Sequence, residues 1–165
     1  MSQLKVDSII PRGGLPSGSQ GGIVQVRQAL FKTHTSISTP SSFTDLGISC
    51  DITPQSSDNH ILVHFGVRMC CSQAARYVVG IVRGSTMLDI GNTGNSTAEQ
   101  GLVDGTVNAN RNASYPTALY LDTGISTTSA TTYKLQVRTT CNITINFRSG
   151  STSGCSFITL MEVSA

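Results

Sequence analysis

Hydrophobic and polar residues alternate along most of the chain after residue 22, and this period of two predicts β-strands. In the stretch TDLGISCDI the apolar side chains fall on even positions from Leu46 to Ile52. Pro54 then ends the strand, because proline has no amide hydrogen to donate to a sheet. The stretch HILVHFGVRM alternates in the same way, with apolar residues on odd positions. No convincing helical spacing appears, so the pattern predicts an all-β domain.

Two predicted strands depart from this alternation because both of their faces are apolar. They are the closing stretch SFITLMEV and the stretch ARYVVGIVR. A strand with one face in water normally has a polar face, so the second face of each needs a cover. One cover is a partner subunit, which predicts an oligomer interface at Ile158, Leu160, Val78 and Val82. The other is the second layer of the chain's own sandwich.

Residues 131–147 alternate over their whole length and predict one long half-buried strand with a bulge near Thr139. The turn SGSTSG then predicts that the closing strand returns antiparallel beside it. Residues 84–131 are polar, and only short strands at 87–90 and 118–121 interrupt the predicted surface loop. About seven to nine short strands predict an antiparallel β-sandwich or a jelly-roll-like domain.

Residues 1–22 differ from the rest, because proline and glycine prevent them from building a packed element alone. Their apolar stretch LKVDSII predicts an extended arm that anchors to another surface through Leu4, Val6, Ile9 and Ile10. A disordered terminus is the alternative. The predicted organisation is therefore an N-terminal anchoring arm, 1–22, followed by one β-domain, 23–165.

Composition excludes several classes of protein. Charged residues make up 12% of the chain and the net charge is +2, which predicts neither nucleic acid nor a membrane surface as a partner. No apolar run approaches the ~18–20 residues that cross a bilayer, and no signal peptide is visible at the start. The sequence predicts a soluble protein made in a cytoplasm.

The five cysteines are predicted to be buried thiols, because an odd number without a secretion signal argues against a disulfide framework. The neighbours Cys70 and Cys71 lack the spacing of a metal site. His60 and His64 lie four apart on a strand, about 13 Å from each other, which is too far for one metal ion. They are predicted to be surface or interface residues. The sequence thus predicts no metal site and no cofactor.

No catalytic constellation appears among the nucleophiles and acids. No serine lies in a GxSxG turn, and the nine acids form no paired motif of the kind that cleaves a glycosidic bond. A sugar-cleaving enzyme is the weakest alternative, with Asp104 and Asp122 as its candidate residues. The chain is predicted not to be an enzyme, so its function is expected in surfaces and assembly.

Several stretches resemble virion proteins of marine and cyanobacterial tailed phages, which are known as tail fibre or structural proteins. The stretches are SQLKVDSIIPRGG, GGIVQVRQALFKT, FTDLGISCDITPQSSDNHILVHFGV, IVRGST, SATTYKLQVR and ITLMEV. They span residues 3–163. Longer members of that group often carry a spacer after the start, whereas Gly21 and Gly22 lead directly into the domain here. This difference favours a short appendage over a long fibre.

The resemblance implies a virion protein, made in the host cytoplasm, that assembles as a homotrimer. As a short tail fibre, it would anchor its arm to a tail adaptor or nozzle and contact host-surface polysaccharide through polar loops. The candidate loop residues are Asn95, Asn110, Arg111, Tyr115 and Tyr120. As a capsid decoration protein, it would instead lie on the major capsid protein and stabilise the head. A carbohydrate-binding module is a further alternative.

Overall fold

The computed structural model describes residues 22–88, 101–107, 113–146, 148–149 and 152–165. Among them it contains β-strands and no helix, and hence no helix that could cross a membrane. The strands are β1 Ile23–Phe31, β2 Thr35–Ile37, β3 Thr44–Ile52, β4 His60–Gly66, β5 Met69–Cys71, β6 Ala75–Arg83, β7 Thr86–Leu88, β8 Val103–Val107, β9 Thr117–Asp122, β10 Thr131–Thr139, β11 Ile143–Ile145, β12 Arg148–Ser149, β13 Thr152–Ser153 and β14 Ser156–Val163.

Two antiparallel sheets form the sandwich. Sheet I has the order β1-β14-β4-β9, and sheet II has the order β3-β10-β6, with β7 and β8 both along the far edge of β6. If that edge is taken as one strand, the eight principal strands run 1-8-3-6 in sheet I and 2-7-4-5 in sheet II. This double Greek key confirms the predicted antiparallel sandwich and its jelly-roll form. A small sheet, β2-β11-β5, and the pair β12-β13 complete the fold.

The core lies between the inward faces of the two sheets. Ile158 and Leu160 of β14 are fully buried there at 0% exposure, in one cluster with Val63, Val79 and Leu135. Their cover is the chain's own second sheet. The prediction that Ile158 and Leu160 form an oligomer interface is therefore wrong, and the alternative of a central strand in a two-layer sandwich is the one observed.

Val78 and Val82 point away from that core, yet their own chain covers them to 4% exposure. Gly101 lies directly over Val78, and Val82 is flanked by Met87 on one side and by Lys134 on the other. Long side chains cover apolar neighbours well, because their stems are aliphatic. The predicted interface at Val78 and Val82 is corrected for the same reason as that on β14.

The predicted long strand over residues 131–147 is two strands in different sheets. β10 ends at Thr139, whose hydroxyl donates to the carbonyl of Arg76 at 2.8 Å, and β11 belongs to the small sheet. Alternation continues across the break because the inward faces of sheet II and of the small sheet both line the core. The closing strand also has other neighbours than predicted: β14 pairs with β1 and β4.

The polar stretch after residue 84 holds more strand than expected. β7 and β9 lie at the two predicted positions, but β8 was missed, because VDGTV combines aspartate and glycine, which strands disfavour. β8 is held by its pairing with β6 and by an ion pair between Arg76 and Asp104. Sheet pairing and a salt bridge thus override the low intrinsic propensity.

Cys71 and Cys141 form a disulfide between β5 and the turn before β11, with Cα atoms 6.1 Å apart. β5 and β11 are paired with Cys71 opposite Ile143, so Cys141, two residues before Ile143, lies just beyond that end of the ladder. The prediction of five buried thiols is wrong for this pair, and also for Cys50 and Cys155, which are half-buried; Cys70 is buried as predicted. Burial raises the pKa of the Cys50 thiol, with a smaller contribution from Asp51.

Gly47 lies in a β-bulge, where the pairing of β3 with β10 shifts register, and its φ is 71°. A Cβ there would meet no atom within 4 Å, so only the left-handed backbone would oppose a side chain. We expect Gly47→Ala to lower the free energy of unfolding by about 1 kcal/mol. Gly22→Ala is the control, because Gly22 lacks a positive φ, and the change there is expected to be neutral or slightly stabilising. Equal effects in urea unfolding would contradict the prediction.

Candidate interaction surface

The outer face of sheet I can be assigned residue by residue from the strand register. Alternate side chains of each strand point away from the core, and the pairing places them in rows across all four strands. The outer face consists of Val26, Gln28 and Leu30 on β1, Phe157, Thr159, Met161 and Val163 on β14, His60, Leu62 and His64 on β4, and Thr117, Leu119 and Leu121 on β9.

One row across this face is apolar from edge to edge. Val26 lies opposite Met161, which lies opposite Leu62, which lies opposite Leu121. Neighbouring side chains on one face of a sheet are about 5 Å apart, so these four form a continuous hydrophobic strip. A strip of this kind is normal inside a sandwich and unusual on the outside.

The next row consists of Gln28, Thr159, His64 and Leu119, so three of its four side chains are polar. Gln28 donates a hydrogen bond from Nε2 to Thr159 Oγ1 at 2.9 Å, and Thr159 lies opposite His64. The His64 ring meets Phe157 edge to face, with ring centroids 5.1 Å apart. The outer face therefore holds hydrogen-bonding groups, but no Lys, Arg, Asp or Glu among its thirteen residues.

The exposed large hydrophobic residues of the described chain all belong to sheet I or border it. They are Ile23, Val24, Val26 and Leu30 on β1, Leu119 and Leu121 on β9, and Tyr115 just before β9. Leu119 is 61% exposed and Val26 and Leu30 are 55% exposed, so the two edge strands are the least covered parts. Contiguous apolar surface of this kind marks an interaction site.

The outer face of sheet II is different, because charged and polar side chains cover it. Lys134 Nζ lies 2.9 Å from Asp45 Oδ2, and Gln136 donates to Asp45 Oδ1 at 2.5 Å. The bond from Lys134, together with that from Gln136, holds the pKa of the Asp45 carboxyl below its ordinary value. Sheet II thus has a charged and polar outer face, and sheet I does not.

Two aromatic rings sit over β4 at one end of the outer face. A Cβ at Gly66 would lie 2.6 Å from Phe157 Cε1 and 2.8 Å from Tyr115 Cε1, so only glycine lets both rings approach the strand. The Tyr115 hydroxyl donates to the Cys155 carbonyl at 3.2 Å, and burial raises its pKa. Tyr115, predicted as a loop residue for host contact, thus borders the apolar face.

Tyr120 is not a loop residue. It lies within β9 opposite Val63, and its side chain packs against the core. Its prediction as a surface contact is corrected. The other predicted loop residues, Asn95, Asn110 and Arg111, lie outside the described residues, as do the predicted arm residues Leu4, Val6, Ile9 and Ile10.

The buried carboxylate of Glu162 stabilises the edge strand β1 of sheet I from the core side. Glu162 on β14 is 0% exposed and accepts hydrogen bonds from Gln25 Nε2 at 2.6 Å, Asn59 Nδ2 at 2.6 Å and the Gln55 amide at 2.7 Å. Burial alone would raise the pKa of Glu162, but these bonds outweigh it and hold the pKa below its ordinary value. Glu162 therefore ties β1 and the loop after β3 to the closing strand.

The candidate acids of the sugar-cleaving alternative are each engaged in a separate ion pair. Asp104 on β8 pairs with Arg76, and that interaction lowers the pKa of Asp104. Asp122 on β9 accepts from Arg83, from the Tyr133 hydroxyl and from the Gly124 amide. The two carboxylates are thus held by different arginines, Arg76 and Arg83, and are not paired with each other.

Among the described residues, no group of three or more His, Cys, Asp or Glu is arranged to hold a metal ion. The outer face of sheet I is the surface on which the exposed large hydrophobic residues of the described chain are concentrated. No protein-family model and no curated protein matches this sequence.

Proposed function

We propose that this protein is a non-enzymatic structural protein of a tailed-phage particle, and specifically a short tail fibre or tail-associated appendage that assembles as a homotrimer. The single observation that carries the proposal is the uncharged outer face of sheet I, where Val26, Met161, Leu62 and Leu121 form an apolar strip. A jelly roll with one solvated face and one apolar face is suited to be a building block. The resemblance of the sequence to virion proteins supports the same assignment.

In this proposal residues 1–22 anchor the domain to another virion protein, a tail adaptor or nozzle. Gly22 is already part of the folded domain, because its amide donates to Ser164 Oγ at 3.1 Å and its carbonyl accepts from the Ser164 amide at 2.9 Å. The anchor therefore leaves the domain directly at the edge of sheet I. Host-surface polysaccharide is the proposed contact of the polar loops.

The hydrogen bonds between Gly22 and Ser164 also favour a second candidate, a capsid decoration protein. Because Gly22 is fixed to Ser164 at the very start of β1, any distance between the domain and its anchoring surface would have to be spanned by residues 1–21 alone. A short tether suits a protein that lies on the major capsid protein better than one that reaches outward. A carbohydrate-cleaving role receives no support from Asp104 and Asp122, which are held by separate arginines.

Cryo-electron microscopy of intact particles tests the proposal. Density for this domain on the tail or its adaptor would support the appendage, and density at three-fold positions of the head would support the decoration protein. Purified particles that lack the protein by mass spectrometry would contradict both. Particles made without the gene provide the control, because the assigned density must disappear from them.

A further inference from the structure

We infer that the outer face of sheet I is the surface through which copies of this chain pack against one another. The inference rests on the proposed function and deepens it, because it names the face that joins the subunits. It also replaces the residues that the sequence predicted for this role, since Ile158 and Leu160 are core residues.

The composition of the face fits a surface that is buried in an assembly. None of its thirteen side chains carries a permanent charge, and its edges hold Val26 and Leu30 on β1 and Leu119 and Leu121 on β9, all at least 44% exposed. The centres of protein interfaces are depleted in charged residues in the same way. The polar side chains of Gln28, Thr159 and His64 add donors and acceptors that an identical face can satisfy.

The size of the face also suits an interface between copies. Four strands about 4.8 Å apart and roughly seven residues long, at about 3.3 Å a residue, give an area of about 450 Å². Two such faces pressed together remove about 900 Å² from water, counting each face as flat and leaving out the extra surface of protruding side chains. That is close to the ~1,000 Å² that a specific interface needs.

The apolar segment LKVDSII near the start of the chain, if extended, is too narrow to cover the outer face of sheet I. Extended, the seven residues of LKVDSII would cover a strip about 23 Å long and one strand spacing, about 4.8 Å, wide. The exposed side chains lie on both edge strands, with β14 and β4 between them, so one added strand would leave Leu119 or Leu30 in water. A second copy presents a face of equal width.

Light scattering and sedimentation of the full-length protein at micromolar concentration test the inference. We expect the wild type to have at least twice the monomer mass of 17.4 kDa: twice where two faces are pressed together, and three times where three copies of the face meet around a three-fold axis, as in the proposed homotrimer. Leu119→Asp and, separately, Val26→Asp place a charge at the two edges of the face, and each is expected to weaken association by at least ~100-fold. Both side chains are more than half exposed, so the substituted chains should still fold, which circular dichroism checks.

Ser49→Asp is the matched control, because it adds the same charge to an exposed position of β3 in sheet II. It should keep the wild-type mass. A monomeric wild type would overturn the inference, and so would dissociation by Ser49→Asp as well as by Leu119→Asp. The double change Ile9→Ser and Ile10→Ser asks whether the arm is the occupant: dissociation by this variant but not by Leu119→Asp would also overturn the inference.

These outcomes are separate from those of the proposed function. A protein that associates through this face but is missing from the particles would leave the inference standing and remove the virion role. A monomer that is nevertheless found on the tail or head would do the reverse. Mass measurements therefore test the inference, and particle imaging tests the proposed function, independently of each other.

Discussion

Glu162→Ala is expected to lower the free energy of unfolding by about 3–5 kcal/mol. The Glu162 carboxylate is buried and accepts from the side chains of Gln25 and Asn59 and from the amides of Gln55 and Ser56. Alanine would leave the buried amide of Asn59 without its acceptor, would remove the shared acceptor of the partly buried donors of Gln25, Gln55 and Ser56, and would leave a cavity as well. The loss should be larger than that of a deleted surface charge, because unpaired buried groups bear the full desolvation cost.

Guanidinium unfolding at one fixed protein concentration measures this loss, since association would make stability depend on concentration. Glu162→Gln keeps the shape but lacks the charge, so it should fall between wild type and alanine. Asp51→Ala is the control, a carboxylate at an exposed position of β3, and is expected to change stability by no more than about 0.5 kcal/mol. A loss below about 1 kcal/mol in Glu162→Ala would contradict the structural role.

The same carboxylate predicts a dependence on pH. Its pKa in the folded protein is lowered, so its contribution is fully present above the unfolded pKa of about 4.3 and is lost as pH falls through the lower folded pKa. The stability difference between wild type and Glu162→Gln should therefore be constant at neutral pH and shrink below about pH 4. Asp45 and Asp104 also have lowered pKa values, but they are present in both proteins and cancel in the difference.

Alternation was enough to predict the class of the fold, because inward and outward side chains of a half-buried strand differ in polarity. It was not enough for β14, where both faces are apolar. The sequence predicts that Ile158 and Leu160 need an external cover, whereas in the structure they are buried and Phe157 and Met161 on the other face are partly exposed. A period of two separates the faces of a strand, but only the partner strands show which face is covered.

The outer face of sheet I could not be predicted, because it is assembled from strands that are distant in sequence. Each strand contributes only three or four of its residues, and the apolar strip appears when the register brings Val26, Met161, Leu62 and Leu121 into line. The signal that existed was on β9. The sequence predicts a strand at this position with Tyr120 at the surface, whereas the exposed residues of β9 are its neighbours Leu119 and Leu121.

Asp122 is expected to be the second residue on which stability depends strongly. Its carboxylate is 2% exposed and links the sheets, because it lies on β9 of sheet I and accepts at 2.7 Å both from Arg83 of β6 and from the Tyr133 hydroxyl of β10. Burial, with the bond to Asp122, raises the pKa of Tyr133, so the hydroxyl stays a donor. Asp122→Asn removes the charge that pairs with Arg83 and should lower the free energy of unfolding by about 3 kcal/mol.

The chain offers a matched comparison, because Asp104 pairs with Arg76 in the same kind of aspartate–arginine contact at the surface. The side chain of Asp104 is 39% exposed and that of Asp122 is 3% exposed, so Asp104→Asn should cost only about 0–1 kcal/mol. Tyr133→Phe should cost about 1–2 kcal/mol on its own and clearly less in the Asp122→Asn background, since both changes remove the same bond. Strictly additive losses in this double-mutant cycle, or equal losses for Asp122→Asn and Asp104→Asn, would show that the link between the sheets does not depend on this buried carboxylate.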